Sequence, residues 1–274
     1  MKNITLGQYY AVKSLVHNLD PRIKIILATL YIVIVFLCSN VLSMAILLSS
    51  AILLVLISNI PLKIVLKSIK PIVFIISFTA IINIFWTTGE GAPLLNLGFV
   101  TVYKEGIINA AFLIVRIIVL IIGTSVLLTY TTTPIALTDG IERLLSPLKK
   151  IGLPVHDFAM IMTIALRFIP TLMEEAEKIM SAQKARGADF SNGSLIKRAK
   201  ALIPILIPLF SSSIRHALDL ATAMECRCYK GGEGRTRMKI LKCGTKDFVA
   251  LFLFIGLGVA IVLTNIFASA FLPF

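Results

Sequence analysis

Residues 23–60 are almost continuously apolar. As one α-helix they would extend roughly 55 Å, against about 30 Å for the hydrocarbon core of a bilayer. The segment therefore has to fold back. Cys38, Ser39 and Asn40 supply the break, which predicts two short spans over residues 25–37 and 41–57, with Pro61 ending the second. In PLKIVLKSIKP, which follows, Lys63, Lys67 and Lys70 are spaced to share one face of a short interfacial helix. A third span is predicted over residues 71–86, ending on Trp86 at headgroup level. After a loop with Glu90, Lys104 and Glu105 come a fourth span over 107–129, interrupted by Arg116, and a last one over 248–272.

Composition agrees: 57% of residues are hydrophobic and only 15% charged, against roughly 25% charged in a soluble domain. This is the composition of an integral membrane protein. The net charge of +13 admits nucleic acid, anionic headgroups or the retention of basic segments in the cytoplasm. Location decides among these. Residues 131–246 hold 18 of the 27 Lys and Arg against 10 acids, so this region is expected to be cytoplasmic. Lys2, Lys13, Arg22 and Lys24 put the N-terminus on the same side. The basic residues flank membrane helices without aromatic stacking positions, which speaks against nucleic acid. The chain divides into a membrane part (1–130), a cytoplasmic region (131–246) and a last membrane helix (247–274). No signal-peptide pattern precedes the first span. The four cysteines form no disulfide framework and are expected to be reduced.

Thr133 and Pro134 read as an N-cap and first helical position. After Gly152-Leu153-Pro154, residues 155–186 predict a long helix kinked at Pro170, apolar at first and then charged through EEAEKIMSAQKAR. Glu174 and Lys178 are set for an i,i+4 pair, and Gly187 for a left-handed C-cap. A second helix is predicted from an N-cap at Ser194 to about Tyr229, bent by Pro204 and Pro208, with a stop at Gly231-Gly232. Shifting by 41 residues superposes Arg186 on Arg227, Ala182 on Ala223 and Ser181 on Thr222. Both helices thus end in one arginine among small residues. Such a guanidinium suits bidentate bonding in a partner's groove; alternatively it complements the negative helix end for roughly 0.3 to 1 kcal/mol.

Over nearly its whole length the chain resembles the transmembrane T component of energy-coupling factor transporters, a family that includes the corresponding subunit of cobalt uptake systems. The resemblance rests on SLVHNLDPRIKII, on LLSPLKKIGLPVHDFAMIMTIALRFIPTLMEEAEKIMSAQKARGADF, on KRAKALIPILIPLF and on AMECRCYKGGEGRTR. It implies an all-α polytopic membrane bundle with long, crossed, amphipathic cytoplasmic coupling helices, in the plasma membrane of a prokaryote. It also implies two cytoplasmic ABC-type ATPases as partners, and a small membrane subunit that binds a vitamin or transition-metal ion. In the family, an arginine at the end of each coupling helix docks in a groove of one ATPase. By position these are Arg186, within Ala185-Arg186-Gly187, and Arg227, within Cys226-Arg227-Cys228. The second signature is usually Ala-Arg-Gly. Cys228 in place of glycine would let the second helix continue to Gly231 and shift its tip by up to a turn.

No GxxxxGK[ST] phosphate loop occurs, so ATP is expected to be hydrolysed by partners, and the chain is expected to be neither an enzyme nor a cofactor carrier. Cys226, Cys228, Cys243 and His216 have metal-binding chemistry, but Cys226 and Cys228 face different sides of a helix, and no metal site is expected. Arg116 is expected to support the bundle near the substrate-binding partner. Glu174 and Glu225 join it as supports of the bundle or of coupling. His17, His156 and His216 read as isolated, with His156-Asp157 opening the first long helix. Glu174, Glu175 and Glu177 read as a solvated or ATPase-facing surface. An autonomous secondary transporter is the rival reading, and would want paired intramembrane charges or broken helices at the midplane.

Overall fold

A computed structural model of the chain describes residues 9–87, 95–96, 101–152, 154–188, 190, 194–231, 241 and 243–271. Glu90, Leu153 and Gly232 lie outside the described residues. Nine α-helices are described: α1 (Pro21–Leu37), α2 (Val41–Ser58), α3 (Leu62–Ile69), α4 (Val73–Trp86), α5 (Lys104–Thr124), α6 (Pro134–Leu144), α7 (Val155–Ala185), α8 (Leu195–Cys226) and α9 (Thr245–Phe271). A two-residue antiparallel pairing, β1 (Leu95–Asn96) with β2 (Thr101–Val102), precedes α5. The fold is otherwise all-α.

The break between α1 and α2 falls at Cys38-Ser39-Asn40, where Cys38 and Asn40 are both extended. α1 begins four residues before the predicted span because Asp20 caps it, accepting from Arg22 N–H at 2.9 Å, and Pro21 takes its first position. α2 ends at a left-handed Asn59, φ 54°. Between α3 and α4 the chain bends by 57°. α5 begins earlier than predicted, at Lys104, with Glu105 favourably placed in its first turn. It runs on into a π-turn over Ser125–Thr129, closed by Tyr130 N–H to Ser125 O at 2.9 Å. Leu27, Tyr31, Leu47, Val119, Leu127 and Ile261 form the dry centre of this unit. Gly123 is required there, since a Cβ at that position would enter the Tyr31 ring.

By length and composition, α2, α5 with its π-turn, α7, α8 from Ala199, and α9 are each able to cross a bilayer, and the bent α3–α4 pair could make a sixth crossing. This set differs from the sequence reading, which counts α1 and α4 and leaves α7 and α8 at the membrane edge. α1 has only 17 residues. α7 and α8 qualify on length, at about half the mean hydropathy of α2, α5 and α9.

Two compact units emerge, one formed by residues up to Ile141 together with those from Ile240, the other by Glu142–Lys239. In the second unit α7 and α8 pack antiparallel. Tyr229 meets Met160, His216 stacks on Phe168 and Ser212 bonds Glu175, so the α8 numbers fall as those of α7 rise. Large apolar side chains such as Phe158, Ile161, Ile207 and Phe210 remain exposed on the pair.

Candidate functional site

Both long helices end in the same backbone device. At the end of α7, Gly187 N–H bonds Lys184 O at 3.0 Å and Ala188 N–H bonds Gln183 O at 3.0 Å, with Gly187 at φ 87°. At the end of α8, Cys228 N–H bonds Glu225 O at 2.8 Å and Tyr229 N–H bonds Met224 O at 3.0 Å, with Cys228 at φ 56°. Every donor and acceptor in the second set lies 41 residues after its counterpart. This overturns the expected continuation of the second helix to Gly231. Cys228 enters the left-handed region itself, because the two cap hydrogen bonds outweigh a penalty of roughly 1–2 kcal/mol for a side chain there. Cys228→Gly is therefore expected to stabilise this end by about 1 kcal/mol, read as slower amide exchange at residues 227–229. Faster exchange would contradict the strain.

Arg186 and Arg227 stand at these two ends, both exposed, and neither guanidinium has an ion pair or hydrogen bond among the described residues. Ala185 and Cys226 precede them and are likewise exposed. The antiparallel pairing sets the arginines at opposite ends. Tyr229 sits beside Met160, and Arg186 follows Met160 by 26 residues, so the separation is roughly 40 Å at 1.5 Å per residue.

Along the seam, Glu175 turns inward, which corrects its reading as a solvated surface. It accepts from Ser212 Oγ and lies 3.6 Å from His216 Nε2, whose ring stacks on Phe168. Beside this cluster is a groove of about 320 Å³ lined by Phe168, Leu172, Ala217, Leu220, Ala221 and Met224. Glu174 is exposed and forms no ion pair with Lys178, contrary to the spacing argument; Glu225 is exposed, its carbonyl serving the α8 cap. The histidines are not isolated: His156 bonds Glu142 at 3.0 Å, and His17 bridges Ser14 Oγ and Tyr10 O. Cys226 and Cys228 lie in the second unit, whereas Cys243 lies in the first, with its thiol 4.0 Å from Asp20 Oδ2.

Arg116 donates from Nη2 to Cys38 O at 2.6 Å. It serves a carbonyl that the end of α1 leaves without a helical donor. Asn265 Nδ2 does the same for Leu37 O at 2.6 Å, and Ser43 bonds Asn265 Oδ1. Arg116→Leu is expected to cost roughly 1.5–3 kcal/mol and to lower both melting temperature and complex yield. Wild-type values of both would remove this role.

A second polar cluster, missed in the sequence, closes the opposite end of the first unit. Lys24 is 1% exposed and donates to Thr131 O at 2.8 Å and His17 O at 3.2 Å. Asp247, 4% exposed, accepts from Asp20 N–H at 2.8 Å and Gly244 N–H at 2.7 Å. Arg22 reaches Leu241 O at 2.9 Å. The signal was the Asp20-Pro21 cap with a lysine one turn later.

The profile of the cobalt transport protein family matches residues 12–239, a stretch that includes Lys24, Arg116 and both helix ends. The energy-coupling factor transporter transmembrane protein EcfT of Clostridium kluyveri is 53% identical over 250 residues, 91% of this chain and 92% of that one. The chain belongs to this family. EcfT proteins of Ruminiclostridium cellulolyticum and Bacillus subtilis are 54% and 48% identical over 242 and 247 residues, covering 88% and 90% of this chain and 90% and 92% of theirs. Family membership makes the chain a transmembrane component of an energy-coupling factor transporter.

Proposed function

We propose that this chain is the coupling subunit of an ATP-driven importer, joining two cytoplasmic ABC-type ATPases to a small membrane subunit that binds a vitamin or a transition-metal ion. The observation that carries the reading is the pair of identically capped helix ends. Each presents one exposed guanidinium with no ion pair among the described residues, and they are held roughly 40 Å apart by one antiparallel helix pair. That is the arrangement a lever needs in order to engage two copies of a similar partner at once. Closure of an ATPase dimer would draw on both ends of a rigid element and pass the movement to the membrane bundle.

In this reading α7 and α8 lie at the cytoplasmic face, the N-terminus is cytoplasmic, and residues 185–187 and 226–228 are the docking segments. The lower hydropathy of the two helices and the basic excess of residues 131–246 support it. Hydrolysis belongs to the ATPases and substrate choice to the binding subunit. The test is affinity purification of the tagged chain from its native membrane in mild detergent, with the bound proteins identified. Two ATPase subunits and a small membrane protein are expected. If no ATPase accompanies the chain, coupling fails as a reading and an autonomous transporter takes its place.

A further inference from the structure

Within the first unit a groove of about 470 Å³ runs between α2 and α9, floored by Leu27 and Phe254 and roofed at one end by the segment carrying Val16. We propose that it is a binding site for one acyl chain of an anionic phospholipid, with the headgroup held at Lys246. Three features of the groove support this.

The first is polarity. Lys246 is the one charged residue among the described residues that line the groove, and it stands at the end where α9 begins. Its neighbour Asp247 is turned inward and occupied by two backbone N–H groups, so it does not neutralise the lysine. Lys246 is exposed and has no ion pair among the described residues. Ser50, also in the lining, is satisfied by Leu47 O at 2.6 Å and adds no open polar demand.

The second is depth. From Lys246 the lining continues along α9 to Leu257, eleven residues on, or about 16 Å of helix. Half of a hydrocarbon core is about 15 Å. The groove therefore covers one leaflet, starting from a cation at the headgroup level.

The third is width. A volume of about 470 Å³ spread over that length gives room for a single hydrocarbon chain laid along the groove. A cation at the mouth, with a membrane-surface lysine worth about 1 kcal/mol toward anionic lipid, selects the headgroup class.

The experiment is native mass spectrometry of the full chain after detergent delipidation, titrated with phosphatidylglycerol and with phosphatidylcholine of the same acyl chains. Wild type is expected to retain one phosphatidylglycerol and to prefer it by about fivefold, the worth of one lysine. Lys246→Glu is expected to lose that preference. Leu253→Trp, which fills the groove from an exposed position, is expected to lose the bound lipid. Val259→Trp, exposed on the same helix but outside the lining, is expected to keep it. Helical content by circular dichroism checks that each variant is folded. Equal lipid retention in folded Leu253→Trp and wild type overturns the proposal. So does equal binding of the two lipids by wild type, or capture of a protein in place of lipid by a photo-crosslinker at position 253 in native membranes.

Discussion

Arg186→Glu combined with Arg227→Glu is expected to abolish co-purification of ATPase subunits and ATP-driven uptake, while the chain accumulates in the membrane at wild-type levels. Both guanidinium groups are exposed and bond nothing among the described residues. Reversing them therefore breaks no contact among the described residues and costs the fold only the charge effect at each helix end, roughly 1 kcal/mol apiece. Docking is a different matter. A guanidinium buried against acceptors in a partner's groove contributes through charge-assisted bonds, and losing one member of such a pair costs roughly 2–5 kcal/mol, before any repulsion from the new carboxylate. Because the arginines occupy opposite ends of the α7–α8 pair, each is expected to serve a different ATPase. Either single variant should then keep one attachment and lose the benefit of two-point binding, so that the double variant loses far more than the sum of the singles. Membrane extraction followed by pull-down reads all three. Disappearance of the double variant from the membrane would mean that the arginines stabilise the fold, and intact ATPase binding would place docking elsewhere.

The break between α1 and α2 is legible in the sequence because an apolar run too long for one crossing has to be interrupted, and Asn40 offers the place. The cap at Gly187 is legible for a similar reason, since glycine there answers a specific backbone demand. The same rule misreads Cys228. Residue preference is weaker than the cap hydrogen bonds that stop α8 at Cys226, and the 41-residue correspondence of donors and acceptors appears only once the backbone is folded. Glu175 was beyond sequence reading in another way. Its partners lie on α8, and nothing within α7 says which of three neighbouring glutamates faces the seam. The membrane reading of α7 and α8 turns on composition near the threshold, where length favours a span and the interleaved charges favour an interface. The interleaved charges supplied the interfacial expectation, and the lower hydropathy of the two helices agrees with it.

Asp247 is the plainest case of a residue whose role only the folded chain discloses, since the backbone it serves at Asp20 lies 227 positions away. Asp247→Ala is expected to destabilise the first unit by about 2–5 kcal/mol, since two buried backbone N–H groups lose their acceptor. The substitution strands the N–H groups of Asp20 and Gly244, which now reach the carboxylate at 2.8 and 2.7 Å, at roughly 1–3 kcal/mol for each that stays dry. It also takes away the negative charge that acts on the buried Lys24 ammonium, whose bonds to Thr131 and His17 hold the start of α1 to the end of the π-turn segment. A Lys24→Met partner variant separates the two effects. If the lost counter-charge dominates, Lys24→Met recovers part of the stability lost in Asp247→Ala, because an apolar side chain replaces the unpaired ammonium. If the stranded N–H groups dominate, the two losses add. Melting temperatures of the four purified forms in one detergent complete the cycle. An Asp247→Ala protein that melts with wild type would show that the polar cluster does not hold this end of the bundle together.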